Sequence, residues 1–321
     1  MRQNVPCDLR EMQSQLKVLE YLALEQQEQL SQELGVDFTR NASEFIAVNS
    51  GGGCNHHYKH IDDAARAITT DVHQKSSAET VRLFLRLVII KAILLTITKR
   101  LSAPLPATLA ANQFRHFERI LSGKSMRDDW LDIDADLFQK EFGLASERLF
   151  AAGSQLLDKN CGIPRSIIFK DGLVKALASF LFLAKLSGFK PFIQIHTHTF
   201  NLDKFNESGW DECYQGCVEL YEMFPELLGV FGSSWFYDPT VAEISPRLKY
   251  LQTIPASGGA KFLYYSAGGA AIGNATSTSE SRKKMYEEGR YAPKSYMMIW
   301  GKKSQAKWVG DLGYEVKNSR N

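Results

Sequence analysis

Apolar positions recur at helical spacing through the first half of the chain and at strand spacing only in the second. The stretch "DLREMQSQLKVLEYLALEQQEQLSQEL" is rich in Leu, Glu and Gln and holds no Gly or Pro, so it predicts one long helix. "SGGGCNHHYKHIDDAARAI" breaks that pattern at three glycines. The most apolar stretch follows at 81–100, "VRLFLRLVIIKAILLTITKR". Arg82, Arg86 and Lys91 interrupt it, and no uncharged run reaches the length of a bilayer span. It predicts a core helix with snorkelling cations, with a helix lying on a membrane surface as the alternative. "SAPLPA" is a loop, "ANQFRHFERILSG" a helix stopped by glycine, and "DDWLDIDADLFQKEFG" a surface turn leading into a helix.

From 173 onward the texture alternates. "LVKALASFLFLAKLSG" predicts a helix and "FKPFIQIHTHTF" a strand. "ESGWDECYQGCVELYEMFP" predicts a helix closed by Pro225, and "LLGVFGSSWFYD" a strand. "SPRLKYLQTIP" opens a helix with Pro in its first turn, "AKFLYYSAGG" is a strand, and "STSESRKKMYEEG" is a serine-capped helix. "SYMMIWGKKSQAKW" predicts a last strand or hairpin. The expected class is α/β. A mainly helical domain, 1–160, packs with an α/β domain, 161–321, whose mixed or parallel sheet alternates with helices and carries the presumed site.

Composition changes this picture little. Of 321 residues, 44% are hydrophobic and 23% charged, ordinary globular usage that argues against disorder. The formal net charge of +2 gives no ground for a nucleic-acid partner. Cys7, Cys54, Cys161, Cys213 and Cys217 are odd in number and form no CxxC, which suits reduced thiols in a cytoplasmic protein. Cys213 and Cys217 read as buried apolar thiols. The first residues lack the apolar core of a signal peptide.

Open α/β sheets gather their sites beyond the carboxyl ends of the strands. His196 and His198 stand one residue apart at such an end, so strand alternation points both to one face. Three readings remain open. One imidazole acts as a general base while the other orients it. Alternatively the pair binds zinc or non-haem iron, with Asp238 as the carboxylate. Or both are hydrogen-bonded structural residues. Cys54, His56, His57 and His60 in "GGGCNHHYKH" form a second concentration of ligand types, and a helix there would place His56 and His60 on one face. "SSWFYDP" offers Trp235 and Tyr237 as pocket walls beside Asp238. Arg247 and Arg282, with Lys283 and Lys284, are candidates for holding an anionic group.

The tail "SESRKKMYEEGRY" followed by "SYMMIW" resembles the C-terminal helix and strand of GNAT-type N-acyltransferases. The resemblance implies that Tyr286 is a general acid toward the leaving thiolate of an acyl carrier, with Glu287 after it and Tyr291 as the closing aromatic. Gly289 stands one position early, and the family's Arg/Gln-x-x-Gly-x-Gly/Ala loop has no counterpart, which leaves the donor open beyond coenzyme A. The leading expectation is an acyltransferase-like enzyme moving an acyl group from a thioester such as acyl-CoA to a small amine or hydroxyl. His196 or His198 is its base, Asp238 orients that base, Tyr286 is the acid, and Trp235, Tyr237, Arg247 and Arg282 bind substrate. The alternatives are a zinc or iron enzyme on His196, His198 and Asp238, with help from His56 or His60, and a non-catalytic binder of small molecules.

Overall fold

The long leading run folds as its spacing predicts, into α1 (Leu9–Leu34), which buries Met12, Leu16, Leu19, Ala23 and Leu30 along one stripe. The structure is a computed structural model that describes residues 9–50, 56–122 and 130–312. The chain divides into two units, one formed by Met1–Asn160 and His198–Leu202, the other by Cys161–Thr197 and Asp203–Asn321.

Unit 1 continues with α2 (Val36–Ser50), α3 (Asp63–Lys75), α4 (Ala78–Ser102), α5 (Ala107–Leu121) and α6 (Asp136–Ala145). Ser77 starts α4 by accepting the Thr80 N–H. From Phe84 to Ile97 this helix is buried on most sides, and it packs against α1, α2 and α6. It is therefore the central core helix, and the membrane-surface alternative falls away. Its last turn is pinned to the end of α6: Thr96 Oγ1 donates to Ala145 O at 2.7 Å, and Lys99 and Arg100 both hold the buried Glu147 carboxylate.

A hairpin completes unit 1: β1 (Leu149–Ala152) and β2 (Gln155–Cys161) pair antiparallel from Leu149↔Asp158 to Ala152↔Gln155. These two strands have no signal in the sequence pattern, because nearly every residue of both is buried and the alternation that marks a half-exposed strand is missing. Gln113 of α5 ties the hairpin to α6, donating to Leu144 O at 2.7 Å and accepting Ala151 N–H at 3.0 Å.

Unit 2 runs through α7 (Leu173–Lys185), β3 (Phe192–Thr197), α8 (Glu207–Met223), β4 (Gly229–Ser234), α9 (Val241–Ile244), α10 (Tyr250–Ser257), β5 (Lys261–Ala267), α11 (Gly269–Thr276), α12 (Glu280–Glu287), β6 (Lys294–Gly301) and α13 (Lys302–Asp311). Its strands lie in the order β3-β4-β6-β5. The β3/β4 pair is parallel and the other two pairs are antiparallel, so the sheet is mixed. One core gathers Phe192, Phe231, Met297 and Ile299 from the sheet with Ile167, Ile168 and Leu183. A second, aromatic layer sets Tyr214 of α8 edge-to-face with Trp300, and Trp300 edge-to-face with Trp308 of α13, with centroids 5.1 and 5.4 Å apart.

Two local expectations are corrected. The segment after "SYMMIW" is not the return arm of a hairpin: the chain leaves β6 at Gly301 and enters α13, which buries Gln305 and Val309. The run through "HTHTF" is not one continuous strand: β3 stops at Thr197, and a 3-10 turn follows over Thr199–Lys204. Cys161, Cys213 and Cys217 are buried and form no disulfide, and burial pushes the Cys213 thiol up. Cys7 and Cys54 lie outside the described residues. Among the described residues no helix is long and apolar enough to cross a membrane.

Candidate functional site

Because β3 ends at Thr197, the alternation that aligned His196 with His198 does not reach the second imidazole. His196 belongs to unit 2 and is half-buried near the end of β3, whereas His198 belongs to unit 1 and is buried. His198 Nδ1 accepts the Phe200 N–H at 3.0 Å. A neutral ring that accepts at Nδ1 carries its proton on Nε2, and that atom donates to Glu141 Oε1 at 3.1 Å.

Around this pair unit 1 builds a buried polar network. Arg119 Nη2 donates to the same Glu141 Oε1 at 2.5 Å. His116 Nε2 donates to Asn201 Oδ1 at 3.0 Å, and Arg115 Nη2 reaches that oxygen at 2.9 Å. His116 Nδ1 faces Arg119 Nη2 at 3.4 Å. The Arg115 and Arg119 guanidiniums lie 4.5 and 4.6 Å from the Phe200 ring centroid. Burial lowers the His116 pKa to about 3, so the ring is neutral. Burial pushes Glu141 the other way, but the His198 hydrogen bond and the Arg119 charge outweigh it and bring the carboxyl to about 2.

The sequence reading missed His116, Glu141 and Asn201. A signal existed: Glu141 lies on the apolar stripe of α6 beside Phe138 and Phe142, and His116 on that of α5 beside Gln113, Phe117 and Ile120. A charged or polar residue on such a stripe is buried and must find partners inside. His116, Glu141 and His198 have ligand atoms within 4.8 Å of one another. Both imidazole lone pairs are engaged and Arg119 holds Glu141 Oε1, while the buried Glu141 Oε2 has no hydrogen-bond partner. With both imidazoles and one carboxylate oxygen so engaged, the residues form an ion-pair and hydrogen-bond network. Among the described residues, Asp238 belongs to no group of metal-capable side chains, and His196 and His198 never share one.

In unit 2 the end of β4 runs into a 3-10 turn over Trp235–Tyr237. Asp238 closes it: Oδ1 accepts Thr240 N–H at 3.1 Å and Thr240 Oγ1–H at 2.5 Å, and Oδ2 accepts Lys294 N–H at 3.2 Å. Its carboxylate therefore fixes the turn against β6. Tyr237 is buried, its hydroxyl has no hydrogen-bond partner, and burial raises its pKa well above the usual range. The Arg282 guanidinium lies 4.4 Å from the Trp235 ring centroid, with Nε donating to Ala275 O at 2.6 Å. Arg282 is buried, and among the described residues no carboxylate lies within ion-pair distance of it. Burial, followed by the neighbouring Arg247, acts to lower its pKa. The buried Tyr291 hydroxyl lacks a partner, and burial raises its pKa to about 12. Arg247 is exposed, and Tyr286 on α12 is 38% exposed.

β3 and β4 run parallel, so their carboxyl ends lie on the same side as the Trp235–Tyr237 turn. Only Ile193↔Val230 and Gln194↔Phe231 are in register, although each strand has six residues. Past them, Thr197 and Ser233 are exposed at the two strand ends.

The segment 51–60 lies in part outside the described residues. His56 and His60 do not share a helix face. They sit in a turn with their rings stacked, centroids 4.3 Å apart. That turn is anchored by Tyr58, whose N–H reaches Asp158 Oδ2 at 3.1 Å and whose hydroxyl reaches Asp136 Oδ1 at 2.9 Å.

No family model matches the chain, and no curated protein matches it. A solved structure described as an acyltransferase in complex with decanoyl-CoA is similar with a TM-score of 0.41 and 15% identity, over 70% of this chain and 68% of that one. A likeness of that degree bears on neither the activity nor the substrates of this chain.

Proposed function

We propose that the chain is an acyltransferase-like enzyme that moves an acyl group from a thioester donor such as acyl-CoA to a small amine or hydroxyl acceptor. The observation that supports this reading is the half-buried His196 at the carboxyl end of β3, beside the parallel β4 whose own end carries the Trp235–Asp238 turn. An imidazole at the carboxyl end of a parallel strand stands where open α/β sheets receive their ligands, and it suits proton removal near neutral pH. In transfer, the acceptor nitrogen or oxygen bonds to the thioester carbonyl carbon and the C–S bond breaks. The acceptor proton passes to a base, for which His196 at the end of β3 is the candidate. The departing thiolate takes a proton from an acid, for which the accessible Tyr286 is the candidate. Asp238 holds the Trp235 turn, and Arg282 with Arg247 is the candidate anchor for an anionic group on the acceptor.

The test is a thermal-shift series with acyl-CoA esters of increasing chain length, followed by thiol release in the presence of amine and hydroxyl acceptors. A donor that binds only the folded state raises the melting temperature with concentration. Ser233→Trp, at an exposed position near the end of β4, should remove that stabilisation by crowding the strand end while leaving the unliganded melting temperature unchanged. Absence of both stabilisation and thiol release across the series overturns the reading.

A further inference from the structure

Helix α7 has a face that the fold does not use. Ala176, Ser179 and Leu183 are its buried residues, a narrow stripe against the core of unit 2. Leu173, Val174, Leu177, Phe180 and Leu181, with Phe169 just before the helix, are instead 50–95% exposed. At about 100° per residue the five helical positions span an arc of about 120° on one side of the cylinder. Isolated exposed apolar residues are ordinary, whereas six contiguous large ones mark a surface that meets something apolar.

Charge identifies the partner. Between 165 and 190 the chain carries Arg165, Lys170, Lys175, Lys185 and Lys190 against the single acid Asp171. All five cations are exposed, and only Lys175 is engaged with that acid, at 2.8 Å. An apolar arc bordered by cations is complementary to a layer that is anionic outside and hydrocarbon beneath. A second copy of the chain fits less well, since an isologous contact through this face brings the same cations toward each other. We propose that α7 seats unit 2 on the surface of an anionic membrane, lying in the headgroup plane with Leu173, Val174, Leu177, Phe180 and Leu181 turned toward the acyl chains. This is peripheral docking, independent of the acyl-transfer reading.

The experiment is vesicle co-flotation of the full chain, with phosphatidylcholine alone and with phosphatidylcholine containing phosphatidylglycerol. Binding to the anionic vesicles, weak binding to the neutral ones and release by salt are expected. Leu177→Gln/Phe180→Gln/Leu181→Gln should reduce the bound fraction about tenfold, and Lys170→Gln/Lys185→Gln by a similar factor. All five positions are exposed, so unchanged melting temperatures should accompany both losses. Two outcomes overturn the proposal: no binding of the parent to anionic vesicles, or a dimer in solution that the triple variant converts to monomer, which makes the face a self-contact.

Discussion

His198 donates its Nε2–H to Glu141 Oε1 across 3.1 Å while its Nδ1 accepts the Phe200 N–H at 3.0 Å. Both ring nitrogens are thus spent on holding the His198–Leu202 segment in unit 1. His198→Ala removes one partner of a buried carboxylate and leaves the Phe200 amide unpaired. The expected loss is about 2–3 kcal/mol of unfolding free energy, measured as a lower urea midpoint at constant m-value. His196→Ala should cost less stability and more activity. The opposite split, with His198→Ala stable and inactive, contradicts the structural role given to His198.

His116 and Glu141 give unit 1 an acid-sensitive core. His116 has a folded pKa depressed to about 3 from 6.5, so below 6.5 the unfolded chain binds a proton that the folded ring refuses. Its contribution is fully present above 6.5 and is lost as the pH falls toward 3. Glu141, depressed to about 2 from 4.5, behaves in the same sense lower down. Stability should therefore fall with acidification, beginning near pH 6.5, with a slope of up to about 1.4 kcal/mol per pH unit from His116 alone. In His116→Gln, denaturation midpoints measured from pH 7 to 4.5 should show a flatter slope, whatever the variant's absolute stability. An unchanged slope rules His116 out as the source.

Where burial is one-sided, the sequence was legible. The stripe of α1, the glycine stop after α7 and the strand–helix alternation of unit 2 all follow from periodicity and turn residues. Where elements are buried throughout, as in β1 and β2, there is no period to read. The polar network failed to show for a related reason. Arg119, Glu141 and Asn201 are far apart in sequence, and only tertiary packing makes them neighbours. The pairing expected of His196 and His198 rested on β3 continuing for one more residue, and strand ends are fixed by packing more than by pattern.

Gly232 reports on how closely the two parallel strands approach where their ladder stops. A Cβ there would stand 2.4 Å from Ile195 Cγ1 and 2.7 Å from its Cδ1. Ile195 is β-branched and stiff at χ1, so it cannot swing aside freely. Gly232→Ala should cost about 1–3 kcal/mol by overpacking. Combining it with Ile195→Ala should recover part of that loss, giving a coupling energy of at least about 0.5 kcal/mol in a double-mutant cycle. Strict additivity means that the strands are already too far apart there for the two side chains to meet.

Arg282 separates fold from function most sharply. It is a buried cation stacked on Trp235, with its Nε held by Ala275 O and its Nη1 3.5 Å from Ser245 Oγ. A structural arginine at such a depth is normally matched by a carboxylate, because an uncompensated buried charge is costly to desolvate. Arg282→Met keeps the stem against the indole and removes the charge. If the guanidinium waits for an anionic group on the acceptor, the variant should unfold within about 1 kcal/mol of the parent, since the lost hydrogen bonds are offset by relief of desolvation. Its KM for an anionic acceptor should rise while the value for a neutral analogue stays put. With kcat nearly constant, that pattern marks the loss of uniform binding and not of a group acting in the transition state. A large drop in melting temperature with an unchanged KM ratio makes Arg282 a structural residue that clamps Ala275 to Trp235.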